Sequence, residues 1–135
     1  MADEVAGEFA PGDHGSTFGG NPIACAAACA VVDAIDADLL ENVRAQGAAL
    51  AVGLASLPGV LEVRGRGLLL GALIGVPAAD VVVACRERGL LVLTAGDDVV
   101  RLAPPLTIDA EDVERALATL ASALETTSVE PSYKL

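Results

Sequence analysis

Lysine is almost missing from this 135-residue chain: Lys134 is the only one, one residue from the end. Chemistry that depends on an amine held in a protected site, with its pKa set by burial and neighbours, therefore has no candidate in the body of the chain. Aromatic residues are nearly as scarce, limited to Phe9, Phe18 and Tyr133 with no tryptophan. A core built without them must be aliphatic, and its small side chains require close packing. Basic residues number eight against nineteen acidic ones, a net charge of -11. That balance repels phosphate backbones and anionic membranes, and no basic patch with aromatics offsets it, so nucleic-acid binding is not expected. Apolar runs break well short of the roughly 20 residues a membrane helix needs. The single histidine, His14, leaves no serine or cysteine triad to assemble.

What the chain has in abundance is alanine, valine, leucine and glycine. Its hydrophobic content of 53% suffices for one compact domain or part of one. The start, MADEVAGEFAP, has neither a basic region nor an apolar signal core, so a cytoplasmic location is expected. Three cysteines are an odd number, and Cys25 and Cys29 sit in an alanine-rich helical run. Reduced, buried thiols are expected there, not a disulfide framework.

Asn21 and Pro22 suit the cap and first position of a helix over about 22–37, with Ile23, Ala27, Ala30, Val31, Ala34 and Ile35 as its apolar stripe. A second helix is expected over 39–56, with Leu39, Val43, Leu50 and Leu54 inward and Pro58–Gly59 closing it. Strands follow at Val60–Val63 and Leu68–Ile74, with a bend or bulge at Gly65 and Gly67. A third helix runs from Pro77 to about Arg88, burying Val81, Val82 and Cys85, and Gly89 ends it. Leu90–Leu93 and VVRLAP read as strands joined by a turn at 94–98. The last helix is capped by Asp109, carries Glu111 and Asp112 in its first turn, and repeats Val113, Leu117, Leu120 and Leu124 at helical spacing. This order predicts an α/β fold, with helices covering one side of a small mixed or antiparallel sheet.

HGSTFGGNP, residues 14–22, is the first candidate site. Its glycines permit positive φ and close backbone approach, and Ser16 and Thr17 offer hydroxyl donors near a helix start, a combination that suits an anion. The spacing matches neither the Walker loop nor G-x-G-x-x-G. From composition alone, a tight turn with a helix cap is the reading these residues favour. Arg101, in VVRLAPP, is the second candidate. A strand arginine before two prolines presents a rigid fork to a carboxylate, and it also suits a plain surface charge. Arg64 and Arg66 are similarly ambiguous. A metal site from Cys25, Cys29 and His14 lacks a fourth ligand, and none is expected. Asp97 and Asp98 are adjacent and read as a solvated turn, not as facing catalytic acids.

FAPGDHGSTFGGNPIACAAACAVVD at 9–33, VRGRGLLLGALI at 63–74 and RERGLLVLTAGDDVVRLAPPLTI at 86–108 together resemble class III pyridoxal-phosphate (PLP) aminotransferases, most specifically the acetylornithine branch. The ornithine, succinylornithine and 4-aminobutyrate branches share much of this pattern. The resemblance implies a fold-type I enzyme, a cytoplasmic homodimer moving an amino group between N2-acetyl-L-ornithine and 2-oxoglutarate, with L-glutamate as the other product. It implies that Thr17, with Ser16 beside it, donates to the PLP phosphate of the neighbouring subunit, and that Arg101 holds the substrate α-carboxylate.

By the same resemblance, the Schiff-base lysine and the groups that hold the PLP ring precede this segment. The chain then corresponds to the C-terminal third of such an enzyme and is expected to be inactive alone. Residues 1–56 would close the large domain with the phosphate loop and interface helices, 57–125 would form the small C-terminal domain, and 126–135 a loose tail. From the residues alone, a non-catalytic oligomerisation or small-ligand module stays open as an alternative.

Overall fold

A computed structural model describes residues 15–128. The chain divides into two compact units, residues 1–36 and 37–135. His14 and Lys134 lie outside the described residues.

Within the first unit, α1 spans Pro22–Ala34. Pro22 starts it where a missing N–H costs nothing, and Asn21 caps it from extended backbone. The helix stops short of the expected position 37. Ile35 leaves helical geometry at ψ 88°, and the last turn holds Asp33 but no basic residue, so its charge opposes the helix dipole. No residue of α1 is buried. Cys25 and Cys29 are consequently exposed, which corrects the expectation of buried thiols. Small size and helical spacing made them suit an interior, but no side chain among the described residues covers them.

The second unit opens with α2, Ala37–Ser56, which buries Gly47, Leu50 and Leu54. The unit thus begins at Ala37, and α2 packs with the elements that follow it, so the boundary expected at 56/57 falls inside the unit. Strands β1, Val60–Arg66, and β2, Leu69–Ile74, form an antiparallel hairpin. Gly67 sits in its two-residue turn at φ +57°, a region a larger residue enters only with strain. The register slips between Val60 and Glu62, so the irregularity lies at the start of β1 and not at the glycine pair. Gly65 pairs with Leu70 inside the ladder; a Cβ there would come within 2.1 Å of the Leu69 carbonyl oxygen.

Helix α3, Ala78–Glu87, follows, then β3, Leu93–Thr94, β4, Val99–Leu102, and α4, Ala110–Ser128. Strand β3 is shorter than the expected 90–93 because the chain is still closing α3 there. Gly89 at φ +83° and the Leu90 amide bonding to the Cys85 carbonyl at 2.9 Å form the helix cap. Strand β4 ends at Leu102, just before Pro104 and Pro105, which lack a ladder donor. Asp109 and Asp112 form a reciprocal cap, each side chain accepting the other's amide at 2.9 and 3.4 Å. Helix α4 runs through residues 126–128, which therefore belong to it and not to a tail.

Sheet order is β1-β2-β4-β3, with every pair antiparallel. Helices α2 and α3 pack against the sheet, and α4 packs against both helices. Leu50, Leu54, Val81, Cys85, Val100 and Leu120 are the largest fully buried side chains. An aliphatic core without aromatics closes in this way because glycines let the helices approach. A Cβ on Gly47 would lie 2.5 Å from the Gly67 carbonyl oxygen, so α2 crosses the hairpin turn in direct backbone contact. Arg88 ties α3 to α4 by donating to the Ala84 carbonyl at 2.8 Å, Thr126 Oγ1 at 2.8 Å and Ser122 Oγ at 3.3 Å.

Candidate functional site

In the loop before α1, one side chain fixes both ends of the turn. Asn21 Oδ1 accepts from the amides of Ile23 and Ala24, each at 3.0 Å, while its Nδ2 donates back to the Phe18 carbonyl. Gly19 passes so close to Ser16 that a Cβ would sit 2.8 Å from its Cβ and Oγ, and Gly20 turns the chain at φ +77°. Ser16 and Thr17 are exposed, with no hydrogen-bond partner among the described residues.

This arrangement narrows how an anion could bind. Two of the amides that usually make a helix start attractive to anions are already taken by Asn21. Free donors in the loop are the Ser16 and Thr17 hydroxyls and the loop's own backbone. They suit phosphate oxygens, which accept hydrogen bonds and need no acid or base from the protein. The turn-and-cap reading is thus observed, and it leaves two hydroxyls available.

Arg101 belongs to the other unit. It occupies the single exposed position of β4, between buried Val100 and Leu102. Alternation along the strand puts its side chain on the face opposite the helices. Its cross-strand neighbours are Gly71 on β2 and Leu93 on β3, and it has no ion-pair partner among the described residues. Arg64 lies opposite Gly71 from the other side. Leu69 and Leu93 are exposed on this same face, so Arg101 stands on a partly apolar surface that strengthens pairing with an anion.

Asn42 is a residue that sequence reasoning did not single out. Its Nδ2 donates to the carbonyls of Leu106 and Ile108 at 3.0 and 2.9 Å, which anchors the segment after Pro104–Pro105 to α2. Only the folded register brings these positions together, 64 and 66 residues apart. Two grooves in this unit, ≈ 540 and ≈ 620 Å³, are lined by other residues and do not include Arg101. In the first, Arg88 and Arg115 are already engaged, by Ser122 and Thr126 and by Asp112.

Among the described residues no group of three or more histidine, cysteine, aspartate or glutamate side chains could hold a metal. No described helix is long and apolar enough to cross a membrane. Burial pushes the Cys85 thiol up, partly opposed by the charge of Arg88.

Solved structures share this architecture. An acetylornithine aminotransferase from Elizabethkingia anophelis matches with a TM-score of 0.70 and 32% identity, covering 90% of this chain and 34% of that one. An ornithine aminotransferase from Toxoplasma gondii, whose active site showed partial occupancy of PLP, matches with a TM-score of 0.70 and 32% identity, covering 93% and 32%. The α/β unit with its antiparallel sheet thus matches part of the fold-type I aminotransferase architecture. Residues 1–124 match the class-III aminotransferase family, and the chain belongs to it. Acetylornithine aminotransferase of Gloeobacter violaceus is 48% identical over a 126-residue alignment that covers 88% of this chain and 32% of that protein. The chain spans about a third of the length of the relatives it matches.

Proposed function

We propose that this chain supplies the cofactor-phosphate loop and the substrate-carboxylate arginine of a PLP-dependent aminotransferase acting between N2-acetyl-L-ornithine and 2-oxoglutarate. The observation that carries the reading is the loop itself: Asn21 closes the turn and caps α1, leaving the exposed Ser16 and Thr17 hydroxyls without a partner among the described residues. Those residues fit a phosphate group. Similarity to acetylornithine aminotransferases, 48% in the Gloeobacter violaceus protein, supports this amino donor.

PLP, when bound, supplies an electron sink for exchanging an amino group and a carbonyl oxygen between two substrates. The residues of this chain contribute positioning. Thr17 donates to a phosphate oxygen through its hydroxyl, Ser16 offers a second donor, and Asn21 holds the turn that presents both. Arg101 receives the substrate α-carboxylate in its planar fork, which fixes the direction of the amino-bearing carbon. Asn42 holds the segment that follows Arg101 against α2.

The exposed apolar side chains of α1, including Ile23 at 83% and Val32 at 68% exposure, form the surface through which this segment joins the remainder of a homodimeric enzyme. We place that enzyme in the cytoplasm. By itself the 135-residue chain, with Lys134 as its only lysine, is expected to perform no transamination. Borohydride reduction after incubation with PLP tests this, and cofactor fixed on a lysine would overturn it. The donor assignment is tested by assaying a complete enzyme carrying this segment with 2-oxoglutarate and each of the four amines. Highest kcat/KM with N2-acetyl-L-ornithine is expected; preference for another amine would reject the assignment.

A further inference from the structure

The open face of the sheet carries a second guanidinium aligned with that of Arg101. Arg64 on β1 lies opposite Gly71 on β2, and Gly71 lies opposite Arg101 on β4. Directly opposed residues of neighbouring strands project from the same face, so two arginines flank a position with no side chain. With two strand spacings between them, their Cα atoms are about 10 Å apart, and flexible stems can converge over the gap. Gly71 puts no side chain of its own between them; Val99 of the next row borders the position, its Cγ1 3.1 Å from where a Cβ on Gly71 would stand.

Neither arginine is neutralised within the described residues, although both are exposed. The nearest acid on this face is Glu62, one row along β1 in register with Leu73, and it makes no ion pair with Arg64. Arg66, one row the other way, adds a further positive charge. In a chain of net charge -11, this row is an anion-attracting surface against the overall sign.

We infer that Arg64 is a second carboxylate-binding residue, and that the Arg64–Gly71–Arg101 row selects dicarboxylates over monocarboxylates. The inference rests on the reading of Arg101 as a carboxylate fork. A monocarboxylate satisfies one guanidinium and leaves the other unpaired. A dicarboxylate long enough to bridge Gly71 engages both, each in planar fork geometry. The 2-oxo acid of the proposed reaction is such a molecule, so Arg64 would contribute to the choice of amino acceptor.

The test is a titration of the full 135-residue chain with glutarate and with butyrate, followed by NMR of the arginine side-chain N–H groups and of the Gly71 amide. Glutarate is expected to bind roughly fivefold more tightly than butyrate, the upper end for an exposed ion pair. In R64Q that preference should vanish while butyrate affinity is unchanged; R64K should restore only part of it. R101Q should weaken both ligands. A preference that survives in R64Q overturns the role of Arg64. Unchanged binding of both ligands in R101Q overturns the reading of Arg101 instead, so the two failures are separable. If R64Q does not fold, the wild-type titration decides: glutarate must shift the Arg64 Nε–H resonance, and its failure to do so refutes the inference.

Discussion

Replacing Gly47 by alanine tests how the helices and hairpin of the second unit are held together. On an exposed helix, Gly→Ala stabilises by about 1 kcal/mol, because alanine restricts the unfolded chain and suits the helix. At Gly47 the new Cβ would stand 2.5 Å from the Gly67 carbonyl oxygen and 2.7 Å from its carbon. Both are backbone atoms of the hairpin turn, so no rotamer change relieves the contact. Overpacking of this kind costs typically 1–3 kcal/mol, and the contact lies at its severe end. Subtracting the helix gain leaves a net loss of about 2 kcal/mol. Urea denaturation followed by circular dichroism would show a lower midpoint with an unchanged slope. G53A is the control: its Cβ would meet Leu117 Cδ1 at 2.2 Å, a mobile side-chain end, so a smaller loss is expected. A G47A protein more stable than the parent would refute the claim that α2 rests directly on the turn backbone.

Further outcomes follow from particular side chains. Cys25 and Cys29 should react rapidly with a thiol reagent in the folded chain, and Cys85 only after unfolding. Since burial raises the Cys85 pKa above its ordinary 9.0, the folded state keeps that proton longer than the unfolded chain does. Its contribution is therefore complete below about pH 9 and declines as pH rises past that value; Cys85→Ala should remove that part of the pH slope, measured by denaturation at stepped pH. Asn42→Ala should loosen residues 106–108, seen as faster amide exchange there, and lower stability by about 1 kcal/mol for two lost hydrogen bonds. In a complete enzyme carrying this segment, R101K should raise KM for amino and oxo acids, or lower kcat/KM, because lysine cannot offer a planar fork.

Much of the fold was legible because its signals are local. Asn21–Pro22 marks the start of α1, and Asp109 with Asp112 marks the start of α4, through caps that involve residues at most three apart. The apolar repeat of α4 and the glycine ending α3 are equally local. Features that depend on packing were not legible. The early end of α1 at Ala34 and the exposure of Cys25 and Cys29 reflect what lies beside the helix, and spacing alone carries no such information. Strand β3 was overextended because Leu90 looks apolar and extended, whereas its amide closes the α3 cap. Arg101 was visible as a strand arginine, but its alignment with Arg64 required the β1-β2-β4 register. The loop was visible as a turn near a helix start; that Asn21 occupies two helix amides and leaves Ser16 and Thr17 without a partner among the described residues depends on how the folded turn closes.

The central claim is that the 15–22 loop holds phosphate while Arg101 holds carboxylate. PLP retention on dialysis of a complete enzyme carrying this segment, compared for T17A and R101K, tests it most directly. Faster cofactor loss is expected in T17A, and unchanged retention in R101K. Equal retention in T17A and the parent enzyme, or cofactor loss in R101K alone, would contradict it.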